Sequence, residues 1–224
     1  MSKILICGDS FCVTDPDYPG LHWSEKILNH SPDFEVHNMS YGGCSNALIL
    51  LQLLQGLKSN PDFVILSFTS LDRYELDFDP FAVPRSSEPE EISSYIKKRY
   101  TTNCYLNIDP TQKDIIDRYR TIGSSDNFER LKNYFYICLC LQTLFVQGIN
   151  FCFSLGGFAY QNDYIELLNS NFLKNWISHY HDRELTMKLW YHQTDKPRPY
   201  FHVDNNDVHA FFADECIKKL THVR

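Results

Sequence analysis

The chain has 224 residues, 43% of them apolar and 22% charged, which excludes a disordered or fibrous protein and suffices for a core without staples. Net charge is −7, from 28 acidic and 21 basic residues, which argues against a phosphate-backbone binder and so against a nucleic-acid partner. The opening MSKILICGDS lacks the form of a signal peptide, and no apolar run approaches the roughly 20 residues a membrane helix needs. A cytoplasmic protein with no membrane partner is therefore expected. The eight cysteines then read as reduced thiols. Cys7, Cys138, Cys140 and Cys152 sit in apolar runs as small core residues, and the absence of a CxxC pair argues against structural zinc.

In chain order, residues 3–7 (KILIC) form a buried strand stopped by Gly8. Residues 21–30 carry helix-like apolar spacing, and 34–37 make a second short strand. Ser45 caps an apolar helix that runs to Lys58. Pro61-Asp62 leads into Phe63–Phe68, the clearest buried strand. Residues 74–127 are polar and hold Pro80, Pro84, Pro89 and Pro110, with a helix predicted over 90–100; a segment of this kind reads as an insertion or lid. Its Tyr95, Tyr100, Tyr105 and Tyr119 suit stacking or lid packing. Phe128–Gln147 is a long helix ended by Gly148, and 149–154 is a fourth strand. Residues 160–200 show no clear strand, and Asp204 or Asn205 caps a closing helix through Leu220. The whole, residues 1–224, reads as a single domain.

Strands alternating with helices imply an α/β fold with a parallel sheet covered on both faces, whose sites lie at the carboxyl ends of the strands. Polar residues follow each strand there: Gly8-Asp9-Ser10 after the first, Asn38 through Asn46 after the second, Ser67, Thr69 and Ser70 after the third. A serine just past a buried strand stands at the sheet edge, where its own N–H and that of a nearby glycine can face a developing oxyanion. Gly43 permits close backbone approach, and Asn46 offers an amide at a helix start. Asp9 reads as a turn-holding residue that bonds loop N–H groups. Arg73 and Glu75 suit either a pocket rim or a surface ion pair. Five histidines (His179, His181, His192, His202 and His209) crowd the last quarter, but no HExxH spacing marks a metal site. No GxGxxG or Walker loop supports a nucleotide binder.

The blocks ILICGDSFC and NMSYGGCSN, with a Thr-Ser-x-x-Arg stretch after the third strand, resemble the SGNH (GDSL-type) hydrolase superfamily, and most of all its bacteriophage-encoded members. The resemblance runs in order from residue 3 to about 220. It implies a three-layer α/β/α fold with a flavodoxin-like parallel sheet and a long insertion after the third strand. It also implies a serine esterase that removes a small acyl group, such as acetyl from a carbohydrate, with no metal or cofactor. Ser10 is then the nucleophile, and the N–H groups of Ser10 and Gly43 form the oxyanion hole. The asparagine of the third block is missing, so Thr69, Ser70 or Asn46 supplies the remaining donor. Two placements compete for the base. His202 precedes the last helix at the family spacing from Ala213, but Pro199 stands where the acid belongs, leaving Asp195, Asp204 or a Ser–His dyad. His209 comes two residues after Asp207, the alternative acid. The spacing to Ala213 favours His202. The rival reading is a binding or structural protein that kept the fold and lost turnover.

Overall fold

Four short apolar runs pair side by side and set the frame. In the structure, a computed structural model that describes residues 2–14, 19–30, 32–71, 73, 75–76, 100–101, 126–155 and 206–221, these are β1 (Ser2–Gly8), β2 (Phe34–Asn38), β3 (Phe63–Ser67) and β6 (Asn150–Ser154). They form one parallel sheet in the order β2-β1-β3-β6. Two-residue strands β4 (Glu75–Leu76) and β5 (Tyr100–Thr101) pair antiparallel apart from it. The helices are α1 (Trp23–His30), α2 (Asn46–Gly56), α3 (Asp126–Gln147) and α4 (Asn206–Thr221), with a 3-10 turn at Leu57–Ser59.

Side-chain alternation along the strands creates the layers. Leu5, Cys7, Val64, Leu66, Phe151 and Phe153 face one side, where α2 and α3 cover them through Leu48, Ile49, Leu53, Ile137, Leu141 and Leu144. Ile4, Ile6, Phe63, Ile65 and Cys152 face the other, beneath Trp23 and Ile27 of α1 and Phe212, Ala213, Cys216 and Ile217 of α4. A sheet buried on both faces needs strands that are apolar at nearly every position, which is why β1 and β3 read as continuous runs. Each such side chain, fully buried, contributes about 1.5–3 kcal/mol. The result is the three-layer α/β/α arrangement with the flavodoxin-like strand order.

The helix ends follow local chemistry. Ser45 caps α2, its side chain accepting from Leu48 N–H at 3.5 Å. At the end of α3, Gly148 adopts φ +66°, its N–H reaches Phe145 O, and Ile149 N–H reaches Leu144 O, a Schellman closure. The helix predicted over 90–100 lies outside the described residues except for Tyr100, which is in β5. The segment 160–200 and the cap at 204–205 also lie outside them. Among the described residues no helix is long and apolar enough to cross a membrane.

Nothing lies within 4 Å of a Cβ built on Gly148, so a substitution there meets only the backbone penalty. Gly148→Ala is expected to lower stability by about 1 kcal/mol, read as a shifted urea midpoint at unchanged slope.

Candidate active site

The turn after β1 is held from every side. Gly8 is gripped by buried Gln52 of α2, whose Oε1 accepts from Gly8 N–H at 2.8 Å and whose Nε2 donates to Gly8 O at 3.1 Å. Gly8 itself is obligatory: a Cβ would sit 2.4 Å from Cys12 Sγ and 3.0 Å from Ser67 O. Cys12 N–H closes the turn on Asp9 O at 3.0 Å, and Phe11 N–H bonds Asp9 Oδ1 at 3.0 Å. Phe11 O accepts from Trp23 Nε1 at 2.7 Å and from His22 Nε2 at 3.0 Å. Cys12 O accepts from Asn38 Nδ2 at 2.8 Å. Ser10 stands half-exposed at the crest, and among the described residues nothing accepts from its N–H or bonds its hydroxyl.

The loop after β2 is laid along this turn. Met39 N–H bonds Ile6 O at 2.9 Å and Tyr41 N–H bonds Gly8 O at 3.2 Å, continuing the run of β2 past its end. Asn38 Oδ1 accepts from both the N–H and the hydroxyl of Ser40, which folds the chain back. A Cβ built on Gly42 would lie 3.9 Å from Ser10 Cβ, so the Gly-Gly pair passes beside the serine. Gly43 follows at φ +77°, a conformation that glycine adopts without strain. Among the described residues its N–H also has no acceptor.

The third loop is braced rather than open. Asp9 is fully buried, and its Oδ2 accepts from Thr69 Oγ1 at 2.7 Å and from Arg73 Nη1 at 2.8 Å. Burial pushes its carboxyl above the usual carboxylate range, while Arg73, Phe11 N–H and Thr69 pull it back. Asn46 pairs with the Thr69 peptide on both sides: Oδ1 accepts its N–H at 3.0 Å and Nδ2 donates to its carbonyl at 3.1 Å. The second bond of Nδ2 goes to Asn133 Oδ1 at 3.3 Å. Asn133, buried on α3, donates in turn to Leu71 O and Arg73 O, each at 2.9 Å.

No protein-family model and no curated protein sequence matches the chain. Solved structures do. An acetyl xylan esterase, AlAXEase, superposes with a TM-score of 0.54 at 13% identity, over 99% of this chain and 98% of that one. The psychrotrophic esterase EstA from Pseudoalteromonas sp. gives 0.57 at 10% identity, over 99% and 100%. A lipolytic protein of the G-D-S-L family from Veillonella parvula gives 0.54 at 10%, over 99% and 99%. The chain has the SGNH hydrolase fold.

Against the SGNH pattern, the structure brings Ser10, Gly43, Asp9, Asn46, Thr69 and Ser70 to one end of the sheet. Asp9 bonds the Phe11 N–H of the turn and pairs with Arg73. Asn46 and Thr69 bond each other and the neighbouring turn, so the Asn46 amide and the Thr69 hydroxyl are engaged in holding the third loop. Ser70 is buried in the same loop, its carbonyl accepting from Arg73 N–H at 3.2 Å. His209 lies on α4, buried, and its Nδ1 accepts from Trp23 N–H at 3.2 Å. A backbone N–H can only donate, so the His209 proton is on Nε2 in the neutral ring. That is the reverse of the tautomer a serine base uses, in which Nδ1 carries the proton and Nε2 accepts from the hydroxyl. Asp207 is in the first turn of α4. His202, Asp195 and Asp204 lie outside the described residues. Gln52, Asn133 and His22 are site residues that the sequence did not reveal, because each sits among apolar neighbours or in a turn without a motif of its own. Among the described residues no cluster of three His, Cys, Asp or Glu is placed to hold a metal.

Asp9→Ala would remove the buried carboxylate that pairs with Arg73 and accepts from Phe11 N–H and Thr69 Oγ1. It is expected to cost about 3–5 kcal/mol in chemical denaturation, far more than a surface carboxylate.

Proposed function

We propose that the protein is an SGNH-type serine esterase that cleaves a small acyl ester, O-acetyl on a carbohydrate being the substrate class we infer. The observation that carries this reading is the pair of N–H groups at Ser10 and Gly43, unoccupied among the described residues, beside a half-exposed hydroxyl in a turn tied down at Gly8, Phe11, Cys12 and the Asp9 carbonyl. The esterase names among the solved structures of the same fold, one of them an acetyl xylan esterase, support it. The motif likeness to bacteriophage-encoded proteins extends the proposal to a phage-encoded enzyme of a reducing cytoplasm, where its eight cysteines stay thiols.

In the proposed reaction His202 takes the Ser10 proton as Oγ attacks the ester carbonyl carbon. The oxyanion of the tetrahedral intermediate accepts from Ser10 N–H and Gly43 N–H. The carbonyl re-forms as the alcohol leaves with the proton held by His202, which gives the acyl-Ser10 ester. His202 then deprotonates water for the second attack. Each backbone donor is worth about 3–4 kcal/mol to the transition state. We assign Asn46 and Thr69 to holding the third loop and Ser70 to its rim. The chemistry as proposed uses no metal and no cofactor.

A second reading, a binding protein that kept the fold without turnover, is favoured by one observation: the Asn46 amide and the Thr69 hydroxyl, which would replace the missing third-block asparagine, already have partners. A fluorophosphonate probe separates the two. Under the esterase reading it labels the wild type, and both Ser10→Ala and His202→Ala abolish labelling. His209→Asn keeps most of it, because the asparagine Oδ1 can still accept from Trp23 N–H. A wild type that stays unlabelled contradicts the esterase reading and supports the second.

A further inference from the structure

The start of α1 is built on two imidazoles, and one of them reaches the nucleophile turn. His22 is the residue just before the helix. Its backbone N–H bonds Glu25 Oε2 at 3.3 Å, half of a capping box. Its Nδ1 receives Ser24 N–H at 3.3 Å and lies 2.8 Å from Ser24 Oγ, so the ring itself caps the helix. The next N–H, that of Trp23, is capped by His209 Nδ1 from α4, whose ring centroid is 5.0 Å from that of His22. Both rings are buried.

These partners fix the tautomer of the neutral His22 ring. Ser24 N–H can only donate, so Nδ1 is bare; Phe11 O can only accept, so Nε2 carries the proton. A second proton on Nδ1 would oppose Ser24 N–H and place a cation at a helix N-terminus, where the dipole disfavours it. Trp23 adds its indole N–H to the same Phe11 carbonyl. The peptide so clamped is Phe11–Cys12, the second peptide after the residue that carries the hydroxyl.

We propose that His22 is a positioning residue for Ser10: as a neutral Nε2–H imidazole it locks the Phe11 carbonyl and thereby the orientation of the Ser10 peptide and side chain. Its bearing on catalysis rests on the esterase reading, whereas the clamp itself does not. A deletion of the donor loosens the turn, and small displacements of a nucleophile are expensive in rate.

The test pairs a structural readout with a chemical one. Long-range 1H–15N spectra of the full chain are expected to show His22 with an unprotonated Nδ1 and a protonated Nε2 at neutral pH. His22→Phe keeps a ring but loses the donor; it is expected to speed amide exchange at Phe11 and Cys12 by about tenfold or more. It is also expected to slow fluorophosphonate labelling of Ser10 by at least about tenfold. His22→Gln, whose amide can occupy the Nε2 position, is expected to recover both. A protonated Nδ1, or equal exchange and labelling in the Phe and Gln variants, overturns the proposal. If the wild type is not labelled at all, the esterase reading fails, and the tautomer and exchange data alone decide the clamp. If His22→Phe does not fold, the tautomer and the wild-type-like exchange of His22→Gln decide it.

Discussion

The rest of the site depends on one constraint, the tying-down of the five-residue turn at Gly8, Phe11, Cys12 and the Asp9 carbonyl. At the end of β1 the peptide groups of Gly8, Phe11 and Cys12 and the carbonyl of Asp9 are all bonded, to Gln52, Asp9, His22, Trp23, Asn38 and Tyr41. An orphaned buried peptide group costs about 1–3 kcal/mol, so this closure is demanded by burial as much as by function. At the crest stands Ser10, which the same bonds hold at the edge of the sheet. A hydroxyl and an N–H held in this way need no reorganisation when charge develops beside them, which is the condition for electrostatic stabilisation of a transition state.

The holding residues come from every layer. Gln52 descends from α2, Trp23 and His22 from the start of α1, Asn38 from β2, and Asp9 leans on Thr69 and Arg73 after β3. Asn133 of α3 completes a chain of amides through Asn46 to Thr69. A buried polar network of this kind specifies one arrangement because each member is satisfied only there. The third loop thereby becomes a wall that supports Asp9, and the two catalytic N–H groups of the proposed oxyanion hole are backbone groups, at Ser10 and Gly43.

Much of the fold was legible. Four apolar runs bounded by Gly, Pro and Asp gave β1, β2, β3 and β6, because a sheet buried on both faces must be apolar throughout. Ser45 and Gly148 marked helix ends because their chemistry there is local. The Gly-Asp-Ser and Gly-Gly blocks were legible for the same reason: the turn they make needs those residue types. What escaped was set by tertiary contact. Gln52 looks like a polar break in an apolar helix until its reach to Gly8 is seen. Asn46 looks like a free amide near a helix start, and only the position of Thr69 shows that it pairs with a peptide. Arg73 has an acidic neighbour in sequence at Glu75, and nothing in the sequence points to its pairing with the buried Asp9. His209 is set by tertiary contact too: only the fold shows that its Nδ1 accepts from Trp23 N–H at the start of α1.

The most direct test is a crystal structure of the protein reacted with a small phosphonate ester. The expected result is a covalent bond from Ser10 Oγ to phosphorus, with one phosphoryl oxygen about 2.7–3.1 Å from both Ser10 N and Gly43 N, and with the Asn46 amide still paired to Thr69. An adduct whose oxygen turns away from those two N–H groups, or a serine that takes up no phosphonate, would contradict it.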